Sequence, residues 1–230
     1  DKLMTLAVDP YYMAPLGPDP TSLAAIQARA MLDAGRCTEW DLATIAAARQ
    51  AAAVVHPGVV WDRARTVEEI LAEPYRASPL RASTSARTVD GAAAVVLAAG
   101  RVAREVCERP AWIRGIDHRT GAHALGVRDL TQCESARLAG ERAGVGNARI
   151  DVAELHTAYA HEEILLREAL GLGDDVTVNP SGGPLIADPL MATGLIRLGE
   201  AASRILDGTA DRVVGHATAG PCLQNNLVAV

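Results

Sequence analysis

The distribution of apolar and polar residues along the chain changes character near Ser83. Upstream the chain reads as helix and loop. Residues 1–20 are rich in proline and turn formers and predict an irregular, partly apolar segment. A helix is predicted over 21–35, starting near Thr21 and Ser22 and stopping at Gly35. A second, over 38–55, is announced by Thr38, whose hydroxyl caps the first turn while Asp41 reaches back three residues later. Thr66 and Glu69 repeat that signature for a third over 66–73.

Downstream, short apolar runs alternate with helical stretches. The run GAAAVVLAA at 91–99 fits a buried strand whose small residues allow close approach of its neighbours. A helix over 102–107, a strand over 111–116 and a helix over 129–143 follow. Next come a strand over 150–155 and a helix over 159–170. Beyond a glycine-rich loop, a long helix is predicted over 189–206, and strands over 212–216 and 227–230 close the chain. This alternation predicts an α/β layered core, a mixed sheet covered by helices and preceded by a helical loop region. No internal repeat is evident.

Composition narrows the function. At 230 residues the chain has ample length to bury a core, and 3% aromatics with no Phe make that core aliphatic. A net charge of −6 without a basic stripe excludes a nucleic-acid binder. The longest apolar run, 92–99, is far short of the roughly 20 residues a membrane span needs. There is no secretory signal, and Cys37, Cys107, Cys133 and Cys222 show neither close pairing nor metal-ligand spacing. A reducing cytoplasm and no metal are the expectation. The start at Asp1-Lys2, without Met, reads as a fragment, a processed chain or a partial one.

Four segments carry candidate chemistry. In the first, a loop of small hydroxyl residues, Ser83 to Ser85, enters the 91–99 run through Asp90-Gly91, letting a ligand approach backbone and side chain closely. In the second, Glu154-Leu155-His156-Thr157-Ala158-Tyr159, an apolar strand ends in a polar residue, the place where α/β sheets usually meet ligands. His161 and Glu162, on the following helix, read as a solvated face. The third is Asn179-Pro180-Ser181-Gly182-Gly183, a tight turn leading to Asp188-Pro189 at a helix start, where a carboxylate suits the free amides. In the fourth, Gly220-Pro221-Cys222 interrupts the two closing strands.

In order and spacing, these segments resemble the thiolase superfamily, and within it the sterol-carrier or lipid-transfer type. The resemblance is weakest in residues 1–82, which would form a helical cap over the site. It is strongest in 83–230, which would be the second of two α/β halves, the first being absent from this chain. It implies that Ser85, Asp90 and Gly91 line coenzyme A, and that His156 and Tyr159 stand in the motif that holds a water or the thioester oxygen. It also implies that Asn179, Ser181, Gly182, Gly183 and Gly220 lie in the substrate-binding loops. Asp188 replaces the family's activating histidine, and Cys222 is displaced by about two positions from its acid/base cysteine. A carboxylate does not donate to an oxyanion, so the resemblance leans toward retro-aldol cleavage of a β-hydroxyacyl-CoA in lipid or steroid side-chain degradation. Catalysis would fall to His156, Tyr159, Asp188 and Cys222. The alternatives are a 3-ketoacyl-CoA thiolase (an acetyl-CoA acyltransferase) or a non-catalytic acyl-CoA- or lipid-binding subunit. Implied partners are an acyl-CoA, with coenzyme A entering as part of the substrate and no covalently bound cofactor, a second copy of the chain, and a small protein with an OB-fold and zinc ribbon.

Overall fold

The computed structural model describes residues 8–56 and 58–230, so readings that concern residues 1–7 lie outside it. Capping residues start the helices, at Thr38 and Thr66 as the sequence anticipates and at Asp19 slightly ahead of the expected start near Thr21 and Ser22. Asp19 caps α1 (Pro20–Asp33), and capping boxes built from Thr38 with Asp41 and Thr66 with Glu69 open α2 (Glu39–Val54) and α3 (Val67–Leu71). A two-stranded ribbon, β1 (Tyr75–Ala77) with β2 (Leu80–Arg81), and helix α4 (Gly100–Val106) precede the sheet.

The sheet has the order β3-β7-β6-β4-β5, built from β3 (Ile116–Thr120), β4 (Val152–Glu154), β5 (Thr177–Val178), β6 (Val213–Ala219) and β7 (Asn225–Ala229). Strands β5, β4 and β6 are parallel, while β7 runs antiparallel to both β6 and β3. Side-chain alternation along β6 fixes the layers. Gly215 and Ala217 meet α7 (Thr193–Leu206), since a Cβ on Gly215 would lie 2.6 Å from Leu198 Cδ2 and one on Gly194 would lie 2.7 Å from Ala217 Cβ. Val214 and His216 point to the other face, which is covered by α5 (Glu134–Ala143) and α6 (Ala160–Ala169). The aliphatic core runs through Ala136, Ala139, Leu155, Leu165, Leu166, Val214 and Val228. Ala24, Ala28, Met31 and Leu42 join it, so α1 and α2 pack into the same core as the sheet.

One expected element is absent. Residues 91–99 pair with no strand, and Val96 and Leu97 are 95% and 78% exposed. The place beside β7 is taken by β3, which starts where the strand expected over 111–116 was to end. The apolar run stays outside the sheet, whose edges are β3 and β5. The long helix starts at Thr193 rather than at 189, because residues 190–192 form a 3-10 turn. Strand β4 is buried along its whole length and carries Glu154, which is fully buried, at its end. Arg197 of α7 and the Ser181 hydroxyl and amide satisfy that carboxylate.

Replacing Arg197 with Ala leaves the Glu154 charge buried and uncompensated, and should cost about 3–5 kcal/mol of stability by chemical denaturation. A loss below about 1 kcal/mol would mean that water reaches Glu154 and that the pair is not buried as described.

Candidate active site

The end of β4 is a run of buried polar groups, and each partner comes from a distant segment. The Asn179 side chain accepts from Leu155 N–H at 2.6 Å and donates to Thr157 Oγ1 at 3.1 Å. Asn179 holds this position with φ +46°, and its carbonyl accepts from Arg49 of α2 at 2.9 Å. Gly182 and Gly183 follow with φ of +89° and +66°, and a Cβ on Gly182 would lie 3.2 Å from Ala53 of α2. The Asn179–Gly183 turn is thus buried beneath α2 as scaffold, with Ser181 engaged on Glu154.

His156 stands just past this run. Thr218 N–H donates to its Nδ1 at 3.3 Å, so the neutral ring carries its proton on Nε2. Burial, with the nearby Arg197 charge adding to it, pushes the His156 pKa down to about 4. The ring is therefore neutral at pH 7, with a donor on Nε2. Its backbone N–H donates to His216 Nδ1 at 3.2 Å.

The strip of residues 84–89 draws two further candidates together. Ser85 bridges Tyr159, with Ala86 N–H on the Ala158 carbonyl at 2.7 Å. Three residues on, Thr88 bridges Asp188, whose N–H donates to the Arg87 carbonyl at 2.9 Å. Tyr159 and Asp188 are thereby fixed along one short stretch of backbone. Asp188 Oδ1 accepts from Leu190 N–H and from the Thr193 hydroxyl, which leaves Oδ2 without a hydrogen-bond donor among the described residues. Thr193 precedes Gly194, where a Cβ would sit 4.0 Å from His156 Nδ1. Asp188 and His156 are thus both tied to the start of α7, through Thr193 and Gly194, whereas the Tyr159 hydroxyl is turned to Thr21 of α1. Gly91 lies at the same place, where its missing side chain admits Pro189. Ser85 is buried with its hydroxyl on the Arg81 carbonyl, and Asp90 is exposed.

Cys222 is placed differently. Its thiol donates to the Leu23 carbonyl of α1 at 3.3 Å, and its side chain is packed with Val8 and Leu23. Burial holds its pKa up at about 12, so it is a protonated thiol at neutral pH. Gly220 makes the tight turn ahead of it, at φ +79°. The Tyr159 hydroxyl lies 3.4 Å from Thr21 of the same helix, and burial raises its pKa to about 12.

The first turn of α6 departs from the expected solvated face. His161, Glu162 and Glu163 are all buried. His161 meets Gln27 of α1 at 3.2 Å, Glu162 accepts the Tyr159 N–H, and Glu163 pairs with Arg49 of α2. Burial drives the His161 pKa down to about 3 and that of Glu162 up to about 8. Helical periodicity gave no sign of this, because the covering surface belongs to α1 and α2. His216 and Asn226 were also missed as site residues. Their signal was available: both are polar residues sharing the inward parity of Val214 and Val228.

Among the described residues no group of three or more His, Cys, Asp or Glu forms a metal site. No helix there is long and apolar enough to cross a membrane.

No family model matches the chain. It is 29% identical to the acetyl-CoA acetyltransferase of Methanothermobacter thermautotrophicus, a match covering 93% of this chain and 62% of that protein. It is 35% identical to rat (Rattus norvegicus) sterol carrier protein 2 over 112 residues, which is 41% of this chain and 20% of that protein. The fold matches a solved Ltp2-ChsH2(DUF35) aldolase with a TM-score of 0.76 at 18% identity, covering 96% of this chain and 68% of that one. The chain thus spans under two thirds of the length of the acetyltransferase.

Two outcomes follow from the burial of these groups. At pH 8, alkylation of the native chain should mark Cys107, which is half-buried, and spare the buried Cys37, Cys133 and Cys222. Peptide mass spectrometry showing rapid labelling of Cys222 would contradict its placement against α1. Stability should peak near pH 6.5. His156, His161 and His216, depressed from 6.5 to between about 3 and 4, make the unfolded chain take up protons the folded one refuses, so stability falls as pH drops below 6.5. Glu162, raised from 4.5 to about 8, has the opposite sign and costs stability progressively as pH rises from 4.5 to about 8. Glu162→Gln should flatten the alkaline limb, measured by urea midpoints across pH.

Proposed function

We propose that this chain, which is similar to thiolase-superfamily proteins of the sterol-carrier, lipid-transfer type, cleaves a carbon–carbon bond in an acyl-CoA by a retro-aldol reaction. The observation that carries this reading is a neutral His156 with its proton on Nε2, together with an Asp188 carboxylate held at the start of α7 by Leu190 and Thr193, while Cys222 is held as a thiol.

The chemistry needs a base for the β-hydroxyl and a donor for the charge that develops on the thioester oxygen. Asp188 Oδ2 takes the hydroxyl proton. The Cα–Cβ bond breaks, its electron pair passes into the thioester as an enolate, and the β-carbon becomes a carbonyl. His156 Nε2–H donates to the enolate oxygen. Tyr159, protonated at neutral pH, orients the β-oxygen, and the proton taken by Asp188 returns to the α-carbon. No covalent adduct and no free coenzyme A enter this sequence. Residues 83–230 would supply this site and residues 1–82 its cap.

Similarity to an acetyltransferase supports a second reading, acyl transfer to coenzyme A. The two separate cleanly. Incubated with a β-hydroxyacyl-CoA, the protein should release an aldehyde or ketone without added coenzyme A, and a strict requirement for coenzyme A would overturn the aldolase reading. His156→Ala should lower kcat by about a hundredfold or more, the scale of losing one oxyanion donor.

Association completes the proposal. Val96 and Leu97, with Val95 beside them, leave an apolar run exposed, which supports pairing with a second copy or with a partner such as a small OB-fold and zinc-ribbon protein. The aldolase of similar fold is named with a DUF35 component. Sedimentation velocity should show a species larger than the monomer, whereas a monodisperse monomer would contradict self-association.

A further inference from the structure

The ladder between β4 and β6 ends with Glu154 opposite Gly215. Two residues past the strand end, the His156 N–H meets a side chain instead of a strand carbonyl. That side chain is His216, fully buried on the face of β6 turned toward α5. We infer that His216 is a positioning residue: its Nδ1 holds the main chain of His156, and Asn226 locks its ring.

Proton positions along the chain of bonds leave no alternative. An amide N–H only donates, so His216 Nδ1 must be unprotonated and Nε2 must carry the proton. Nε2 meets Asn226 Oδ1 at 2.9 Å. The Asn226 amide is oriented in turn, because its Nδ2 donates to the Leu223 carbonyl at 2.7 Å and to Ser135 Oγ of α5 at 2.8 Å. A carbonyl only accepts, so Asn226 presents its oxygen to His216. The Thr218 amide, two residues along β6 from His216, fixes the His156 ring from its other side. Backbone and ring of His156 are thus both set by β6, and Nε2–H is aimed by hydrogen bonds rather than by packing alone.

This rests on the reading that His156 donates to the thioester oxygen, yet it can be tested apart from it. Long-range 1H–15N spectra of 15N-histidine-labelled protein report the tautomer of each ring whether or not turnover occurs. His216 and His156 should both appear as Nε2–H tautomers in the native protein, and an Nδ1–H form of His216 would overturn the inference. His216→Asn retains an acceptor near the Nδ1 position; His216→Phe does not. With His216→Phe, His156 should show mixed tautomers and kcat should fall about tenfold to a hundredfold with KM little changed, the scale set by a misplacement near 1 Å. His216→Asn should recover most of kcat and the single His156 tautomer. Equal defects in both variants, or a wild-type kcat and tautomer in His216→Phe, would overturn it. The wild-type tautomer decides the matter if His216→Phe does not fold. Should His156→Ala prove fully active while the tautomers are as described, the proposed reaction fails and the positioning role stands.

Discussion

The site is organised by the need to satisfy buried polar groups where β4 ends. Glu154 and Leu155 bring a carboxylate and an amide into a region closed to solvent, with the half-buried His156 just beyond, and each unsatisfied buried group there would cost about 1–3 kcal/mol or more. Their partners fix everything nearby. Ser181 and Arg197 bind the carboxylate, Asn179 takes the Leu155 amide, and His216 and Thr218 hold His156. The positions of the glycine turn, of α7 and of β6 all follow from serving this one strand end.

A consequence is that residues which look like ligand contacts are divided between two duties. The Asn179–Gly183 turn has the glycines and small polar side chains of a binding loop, but its groups are used up by β4 and α2. Among the described residues, Asp188 Oδ2 and His156 Nε2 are left unused near the start of α7, and the Tyr159 hydroxyl meets Thr21 of α1. Packing rigidity behind and free donors and acceptors in front is the arrangement that electrostatic preorganisation requires.

Much of this was legible in the sequence. The capping boxes at Thr38 and Thr66 predicted α2 and α3 because their bonds are local. The polar residues at the end of β4 drew attention because strand ends meet ligands in such sheets, and the structure places His156 just past that end. What failed was decided by distant contacts. Residues 91–99 have the composition of a buried strand, but they pair with no strand and leave Val96 and Leu97 exposed, while β3 lies beside β7. His161 to Glu163 have the composition of a solvated helix face, but α1 and α2 dock on them. Cys222 carries the right element for acid/base chemistry, and only the structure shows its thiol on the Leu23 carbonyl.

The account stands on His156 as a neutral donor facing the reacting thioester. A crystal structure with a non-cleavable β-hydroxyacyl-CoA analogue tests it most directly. The thioester oxygen should lie about 3 Å from His156 Nε2, with the β-oxygen between Asp188 and Tyr159. A well-ordered analogue whose thioester oxygen turns away from His156, or which binds away from the start of α7, would contradict it.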